Sequence, residues 1–531
     1  MNLERASVLV NVEPESAPYK KYIHDTILFY AENYSKYEYH AGPGAGGGVI
    51  MPQSLSEAIF MIGIERVLRW NTNQCIFTEE EVKQIQEDLF RPASKVIRGQ
   101  IGAIHNIHMW MQAALLAMGG FCGDAEQVGF ALSSEYGIYN QLKQGLLEDG
   151  MWYEISPSYH YYTLSAVMSA VDAADSYGTD LFREVPKIKE MFLAPLKLAY
   201  PDGTIPAYND CWYGTTLCES LYLYEWGSAF CPELTGYLAD LYASVQGTPK
   251  ELFPLTTIPN GFRTVYSGRR ASLAALLYGA EQLPPSCGLF EKQKSRFLSS
   301  GYGILENRSL RVGIKCTGEN QSHDHFDKLS LDVFALGRPV APDLGTSGYG
   351  TEFSMKWQRS PAAHNMVIVD ELVQKPCGAV LKEMDATCIY AEASPFEGVF
   401  MGRVIRLGEN GFEDFYTVTC EETRQIDYVF HAFGQVILTE GGLEESVPFI
   451  GSKGGFEYFQ SCRRARGGKR LKCEWAIPDC GTLTAALELD DTAVLYLADC
   501  WSYDQNHQMG AIVIRKKGQD VRFRVKYNIV K

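Results

Sequence analysis

No uninterrupted apolar run of about 20 residues occurs in this 531-residue chain, so a membrane-spanning helix is not expected. The first ten residues lack the basic stretch, long apolar run and small-residue cleavage site of a secretory leader. Cytoplasmic residence is therefore the default expectation, or secretion if the chain has been trimmed. Positive charge is also scarce: the formal net charge is −16, which argues against nonspecific nucleic-acid binding. The fourteen cysteines include no CxxC pair, so they read as reduced thiols rather than zinc ligands or disulfide staples. Gly42–Gly48 formally fits GxGxxG, but it follows helix-like sequence and no GK[ST] comes after it. A turn or flexible lid accounts for it better than a nucleotide loop.

Composition is otherwise that of a folded globular chain, 46% hydrophobic and 21% charged. Length alone predicts roughly three to four domains, fewer where large toroids or sandwiches occur. From about residue 20 to 245 apolar residues follow helical spacing. Ala125, Val128, Ala131, Leu132, Tyr136, Tyr139, Leu142 and Leu146 form one such stripe, and Leu164, Val167, Ala170, Val171 and Ala174 another. Short Gly, Pro and Asp breaks separate them, as in antiparallel helical hairpins. Three prolines and two glycines at 247–262 mark a boundary. Beyond it, short segments rich in β-branched and aromatic residues, such as Leu310–Cys316 and Thr492–Leu497, predict a mainly antiparallel sheet. The expected domains are 1–250 and 251–531.

Three constellations carry chemistry. His105-Asn106-Ile-His108-Met-Trp110 opens an apolar helix and gathers polar groups at its end; core packing is the competing reading. Asp149-Gly150-Met-Trp152-Tyr153-Glu154-Ile-Ser156-Pro-Ser158-Tyr159-His160-Tyr161-Tyr162 interleaves aromatics with polar groups, as a sugar-binding wall would, or as a helical core would. In His323-Asp324-His325-Phe-Asp327, taken as strand-like, alternate residues would converge on one side. Asp343-Leu-Gly-Thr346 and Trp357-Gln-Arg359-Ser-Pro-Ala-Ala-His364-Asn365 follow. By spacing alone, a divalent-metal site and a hydrogen-bonded polar core are equally good accounts. A basic run at Arg463, Arg464, Arg466, Lys469, Arg470 and Lys472 reads as a solvated hairpin turn or, alternatively, as a sulfate-facing patch.

Taken in order, Asp-Gly…Glu-x-Ser…Tyr-His, then Pro201-Asp-Gly203…Asn209-Asp210, then His-x-His-x-Asp…Asp-x-Gly-Thr…Trp-x-Arg…His-Asn resemble the heparinase II/III-like polysaccharide lyases and their alginate-lyase relatives over about residues 100–435. The resemblance implies an α+β multidomain fold, an N-terminal incomplete (α/α) toroid followed by a C-terminal antiparallel β-sandwich. It implies that Asn106, with His108, neutralises a uronate carboxylate, that Tyr159 is the catalytic tyrosine and that His323 faces it. His325, Asp343 and His364 match metal-binding positions for a structural divalent ion, zinc or manganese. Trp110, Trp152, Glu154, Tyr349 and Arg359 are candidate substrate contacts.

Such enzymes remove the C5 proton of a uronate and expel O4, so they need stabilisation of an enolate-like intermediate, a base and an acid. Tyr159 and His323 could divide that work, or Tyr159 could do both. The expected partner is an acidic glycan, with a glycosaminoglycan (hyaluronan, chondroitin sulfate, heparan sulfate) favoured and alginate or oligoalginate the alternative. No nucleic acid or membrane is expected, and a homo-oligomer is left open. The competing functions are a toroid glycoside hydrolase, which would need two flanking carboxyl groups such as Glu154, Asp149 or Asp210, and a non-catalytic glycan-binding protein.

Overall fold

The computed structural model describes residues 3–41, 46–244, 272–290, 294–319, 323–440, 444–448, 450–465 and 468–531. The boundary expected at 250/251 and Arg466 of the basic run lie outside the described residues, as does most of the glycine-rich patch. Two compact units are present. One comprises Met1–Trp152, His160–Leu193 and Cys218–Cys287; the other comprises Tyr153–Tyr159, Ala194–Leu217 and Gly288–Lys531. Two short pieces of the first half thus belong with the strands, which the change of texture along the sequence does not reveal.

The first unit is helical. Its helix Asn106–Cys122 is apolar on nearly every side and buried from Met109 to Gly119, as expected of a helix enclosed by others. His105 caps its start, the ring Nδ1 accepting the Ile107 N–H at 3.2 Å, and Gly123 ends it in the left-handed conformation. The single stripe expected over 125–147 is two helices, Ala125–Ser133 and Ile138–Gly145. Side-chain amides satisfy the carbonyls freed by the break: Asn140 donates to Ser134 O (3.0 Å), and Gln112 (2.8 Å) and Gln141 (3.2 Å) donate to Tyr136 O. These side-chain bonds stabilise the interruption, and Gln112 supplies one of them from another helix. The stripe Leu164–Ala174 is buried as expected in the helix Pro157–Ser176. No helix among the described residues is long and apolar enough to cross a membrane.

The second unit holds two antiparallel sheets. One is a meander of Arg296–Leu298, Tyr302–Glu306, Leu310–Lys315, Leu331–Ala335 and Arg338–Ala341. The other is organised around Gly411–Phe433 and Gln508–Val530, which pair along almost their whole length with one register shift between Thr419 and Arg424. At 23 residues each, they far exceed the short strands expected from the sequence. Apolar side chains from both sheets, among them Val312, Ile314, Val333, Ile405, Tyr428 and Val525, share one buried cluster. No disulfide joins any of the fourteen cysteines.

Buried arginines fasten loops to this sheet core. Arg403 pairs with Asp414 through two contacts at 2.5 and 3.0 Å, and its remaining nitrogen donates to Leu329 O (2.5 Å) and Asn365 O (2.7 Å). Arg311 donates to Leu198 O (2.6 Å) and Ala199 O, satisfying carbonyls left open at the end of the helix Ile188–Leu198. Charge-assisted bonds of this kind are stronger than neutral ones, and they fix the ends of the loops that carry the site.

Candidate active site

In the second unit, three loops converge on the Asp210 carboxylate. One oxygen lies 3.0 Å from His323 Nδ1 and accepts the Tyr349 hydroxyl at 2.8 Å; the other lies 3.1 Å from His325 Nε2. Burial pushes this carboxyl up, but the two imidazoles and the nearby Arg359 outweigh it and hold Asp210 well below the usual carboxylate range. An ionised acceptor of this kind fixes ring orientation and tautomer. On the other side of the ring, His323 Nε2 lies 3.5 Å from the buried Glu154 carboxylate.

The Tyr159 ring stacks on the His323 ring, with centroids 3.5 Å apart and planes within 17°. Its hydroxyl is 2.7 Å from that of Tyr349, which in turn is 2.6 Å from His323 Nδ1. Burial, with smaller contributions from Asp210 and Glu154, raises the Tyr159 phenol to about 12, so it is neutral at physiological pH. Burial and the Asp210 charge push the Tyr349 phenol higher still. Tyr349 is nevertheless 54% exposed, carried on a loop that Gly345 allows to pack closely. A Cβ at Gly345 would lie 2.0 Å from Cys211 O, and its φ is +63°.

The segment 323–330 is loop, not strand. His323 and His325 reach the same carboxylate because His323 takes a left-handed φ of 60°, which replaces the strand alternation expected. Asp327 turns away from them to Lys315 and Ser330. It meets His364 instead: His364 Nδ1 is 3.2 Å from Asp343 and 3.4 Å from Asp327. Burial lowers the affinity of His364 for a proton, but these two carboxylates outweigh it and raise its pKa. Donor atoms of Asp327, Asp343 and His364 all lie within 4.8 Å of one another. His325 and His364 have ring centroids 5.6 Å apart, and His325 Nδ1 and His364 Nε2 are buried with no hydrogen-bond partner. The cluster of Asp327, Asp343 and His364 is a donor set that a divalent ion could take.

The other expected residues fall out as follows. Arg359 donates to Asp324 O at 2.9 Å and lies 3.9 Å from Asp210, so it is tethered behind the carboxylate. In the helical unit, His108 Nδ1 lies 2.9 Å from Ala103 O, and Asn106 is buried in the first helical turn. Trp110 and Trp152 are corrections to the expectation of stacking faces. Trp110 is buried against Tyr162, and Trp152 is buried so tightly that a Cβ on Gly145 would lie 2.2 Å from its ring. A sugar needs an open ring face, and these rings serve the core. Of the basic run, Arg463 donates to Val436 O, Arg464 pairs with Glu445, Lys469 with Asp491 and Lys472 with Glu474. Asp210, for which the sequence indicated no role beyond that of a hydrolase carboxyl, is the residue missed. Its place beside Asn209 in the ordered pattern was the available signal.

The comparisons with known proteins agree with this fold. The heparinase II/III N-terminus model matches residues 130–234, and the heparinase II/III-like C-terminal model matches 291–382. An alginate lyase of Stenotrophomonas maltophilia is 23% identical over 392 residues, 66% of this chain and 48% of that protein. A heparin-sulfate lyase of Pedobacter heparinus is 21% identical over 242 residues, 44% of this chain and 31% of that one. The chain therefore spans less than half the length of these curated relatives. Among solved structures, heparan sulfate lyase from Pedobacter heparinus superposes with a TM-score of 0.67 at 14% identity, covering 100% of this chain and 75% of that one. A heparinase III structure gives 0.66 at 13%, covering 99% and 76%. A helical domain followed by an antiparallel β-domain is the toroid-and-sandwich architecture expected. Two segments of the chain are thus similar to heparinase II/III-like proteins, and its fold is similar to theirs.

His160, the neighbour of Tyr159, yields a test of the local fold. Its Nδ1 accepts the Trp152 N–H at 3.0 Å and its Nε2 lies 2.8 Å from Met191 O, so the neutral ring satisfies both. Burial lowers its pKa from 6.5 to about 4. The unfolded chain then binds a proton that the folded chain refuses, so this contribution is complete above pH 6.5 and is lost as the pH falls toward 4. A depression of this size corresponds to about 3 kcal/mol. Denaturant unfolding at pH 7 and 4.5 should show that loss in the native protein and a much smaller one in His160→Gln. Equal losses in both would contradict the assignment.

Proposed function

We propose that the protein is a polysaccharide lyase that breaks the bond at C4 of a uronic acid by β-elimination. The observation that carries this reading is the stacked Tyr159–His323 pair, fixed by Asp210. His323 Nε2 takes the C5 proton, the released electron pair forms the C4–C5 double bond, and the C4–O4 bond breaks. Tyr159, held neutral, gives its proton to O4. After the product leaves, His323 Nε2 gives its proton to water and Tyr159 takes one from it, which resets the site; the Tyr349 hydroxyl, bridging the Tyr159 hydroxyl and His323 Nδ1, holds the pair in place. Asn106, with His108, takes the carboxylate-neutralising role on the strength of the family pattern.

The hydrolase reading needs two carboxyl groups free to act across the bond. Asp210 has both oxygens engaged and is held ionised, and Glu154 is fully buried. A glycan-binding protein would have no use for an oriented imidazole beside a neutral phenol. The substrate proposed is a chain whose charge comes from uronate carboxylates, hyaluronan or alginate ahead of heavily sulfated heparan or chondroitin. Of the described cations of the basic run, Arg463, Arg464, Lys469 and Lys472 are bonded within the protein, and Arg359 is tethered.

A divalent metal, zinc or manganese, would be held by Asp343 and His364, with Asp327 beside them, whose donor atoms lie within 4.8 Å of one another; His325 joins them on the strength of the family pattern. When bound it supplies a fixed positive charge that ties the 323–327, 343–349 and 359–364 loops together. Elemental analysis should find stoichiometric metal in the native protein and little in His364→Ala, whose thermal midpoint should also fall. Equal metal content in both would remove these residues as its ligands.

Incubation with hyaluronan, alginate, chondroitin sulfate and heparan sulfate should raise ultraviolet absorbance from unsaturated uronate, fastest with the first two. Tyr159→Phe and His323→Ala should each lower kcat by about 10²–10⁴-fold, the usual worth of a positioned acid or base. Reducing ends without absorbance on every glycan would overturn the lyase reading; full activity in Tyr159→Phe would overturn the tyrosine's role.

A further inference from the structure

Lys315, the last residue of its strand, has no exposed side-chain surface. Removing an ammonium from water costs several kcal/mol unless other oxygens replace its hydration shell. Here they do: Asn209 Oδ1, Asp327 Oδ1, Asp324 Oδ1 at 3.0 Å and the carbonyl of His325 at 3.2 Å. These acceptors belong to the loops that carry the site. Asn209 precedes Asp210, and the other three lie on the turn that carries His323.

Asn209 extends the link to a third segment. Its Oδ1 also accepts the His325 N–H at 3.3 Å, and its Nδ2 donates to Ile155 O at 3.0 Å, which the Tyr302 hydroxyl reaches at 2.6 Å. Ile155 lies between Glu154 and Tyr159. Ile155, Asn209 and His323 all have positive φ, at 47°, 58° and 60°. Such conformations cost of order 1–3 kcal/mol each for non-glycine residues and persist only where the surroundings over-determine them. Ile155, being β-branched, is the most strained of the three.

We propose that Lys315 is a positioning residue, whose buried ammonium fastens the 153–159, 209–210 and 323–327 segments so that Tyr159, Asp210 and His323 stay in one arrangement. It touches no reacting atom; it acts through Asn209, Asp327 and the His325 carbonyl. Its effect on turnover rests on the lyase reading, whereas its effect on the loops does not.

The test uses Lys315→Met and, should that variant not fold, Asn209→Gly, in which glycine adopts the positive φ freely and only the amide is lost. Hydrogen exchange read by mass spectrometry should rise about tenfold in peptides covering 153–159, 205–212 and 323–330 together. Exchange in 411–433 and 508–530 should not change. Turnover should fall with KM kept within about twofold, and the same substitution in a His323→Ala background should cause a smaller further fall. Unchanged exchange in 153–159 and 205–212, or an additional full loss of turnover in the His323→Ala background, would overturn the proposal. Absence of lyase activity in the native protein would count against the function alone, because the exchange pattern still decides the role of Lys315.

Discussion

The Asp210 carboxylate sorts two histidines that stand only two residues apart. With one oxygen at His323 Nδ1 and the other at His325 Nε2, the opposite ring nitrogens face different surroundings, that of His323 lying near Glu154. On the reading proposed, His323 Nε2 meets the sugar and His325 Nδ1 meets a metal. A single carboxylate, kept ionised in a buried setting by the groups it orients, thereby sets the division of labour across the site. The neutral Tyr159 phenol follows from the same constraint: burial beside fixed negative charge makes phenolate costly, so the tyrosine is suited to give a proton rather than to take the first one.

Much of the fold was legible in the sequence. Helical spacing to about residue 245 and the change of texture beyond it correspond to the two kinds of secondary structure observed, because burial of one face imposes a period on each. What was not legible depends on contacts distant in sequence. The break between Ser133 and Ile138 is held by Gln112, which lies outside the stripe that was read as continuous. The 23-residue strands are long because they pair with each other, and no local signal gives that length.

The site shows the same division. Tyr159, His323, Asp343 and His364 were recognisable from an ordered set of motifs, but the reason for their convergence was not. Strand alternation was the expected cause for His323 and His325; a left-handed residue and a carboxylate 113 positions away from His323 are the actual one. Trp110 and Trp152 looked like sugar-stacking faces because dense aromatics serve cores and binding walls alike, and only burial separates the two. Lys315 carries no motif at all. Its importance, like that of Arg311 and Arg403, lies in supplying buried positive charge to carbonyls and carboxylates that would otherwise be unsatisfied.

The central claim is that the bond is broken by elimination, without consumption of water. Digestion of a uronate oligosaccharide in water enriched in heavy oxygen, followed by mass spectrometry, tests it most directly. Elimination gives products whose masses sum to that of the parent and which carry no heavy oxygen at the cleaved linkage. Products that together exceed the parent by one molecule of water, with heavy oxygen incorporated, would contradict it.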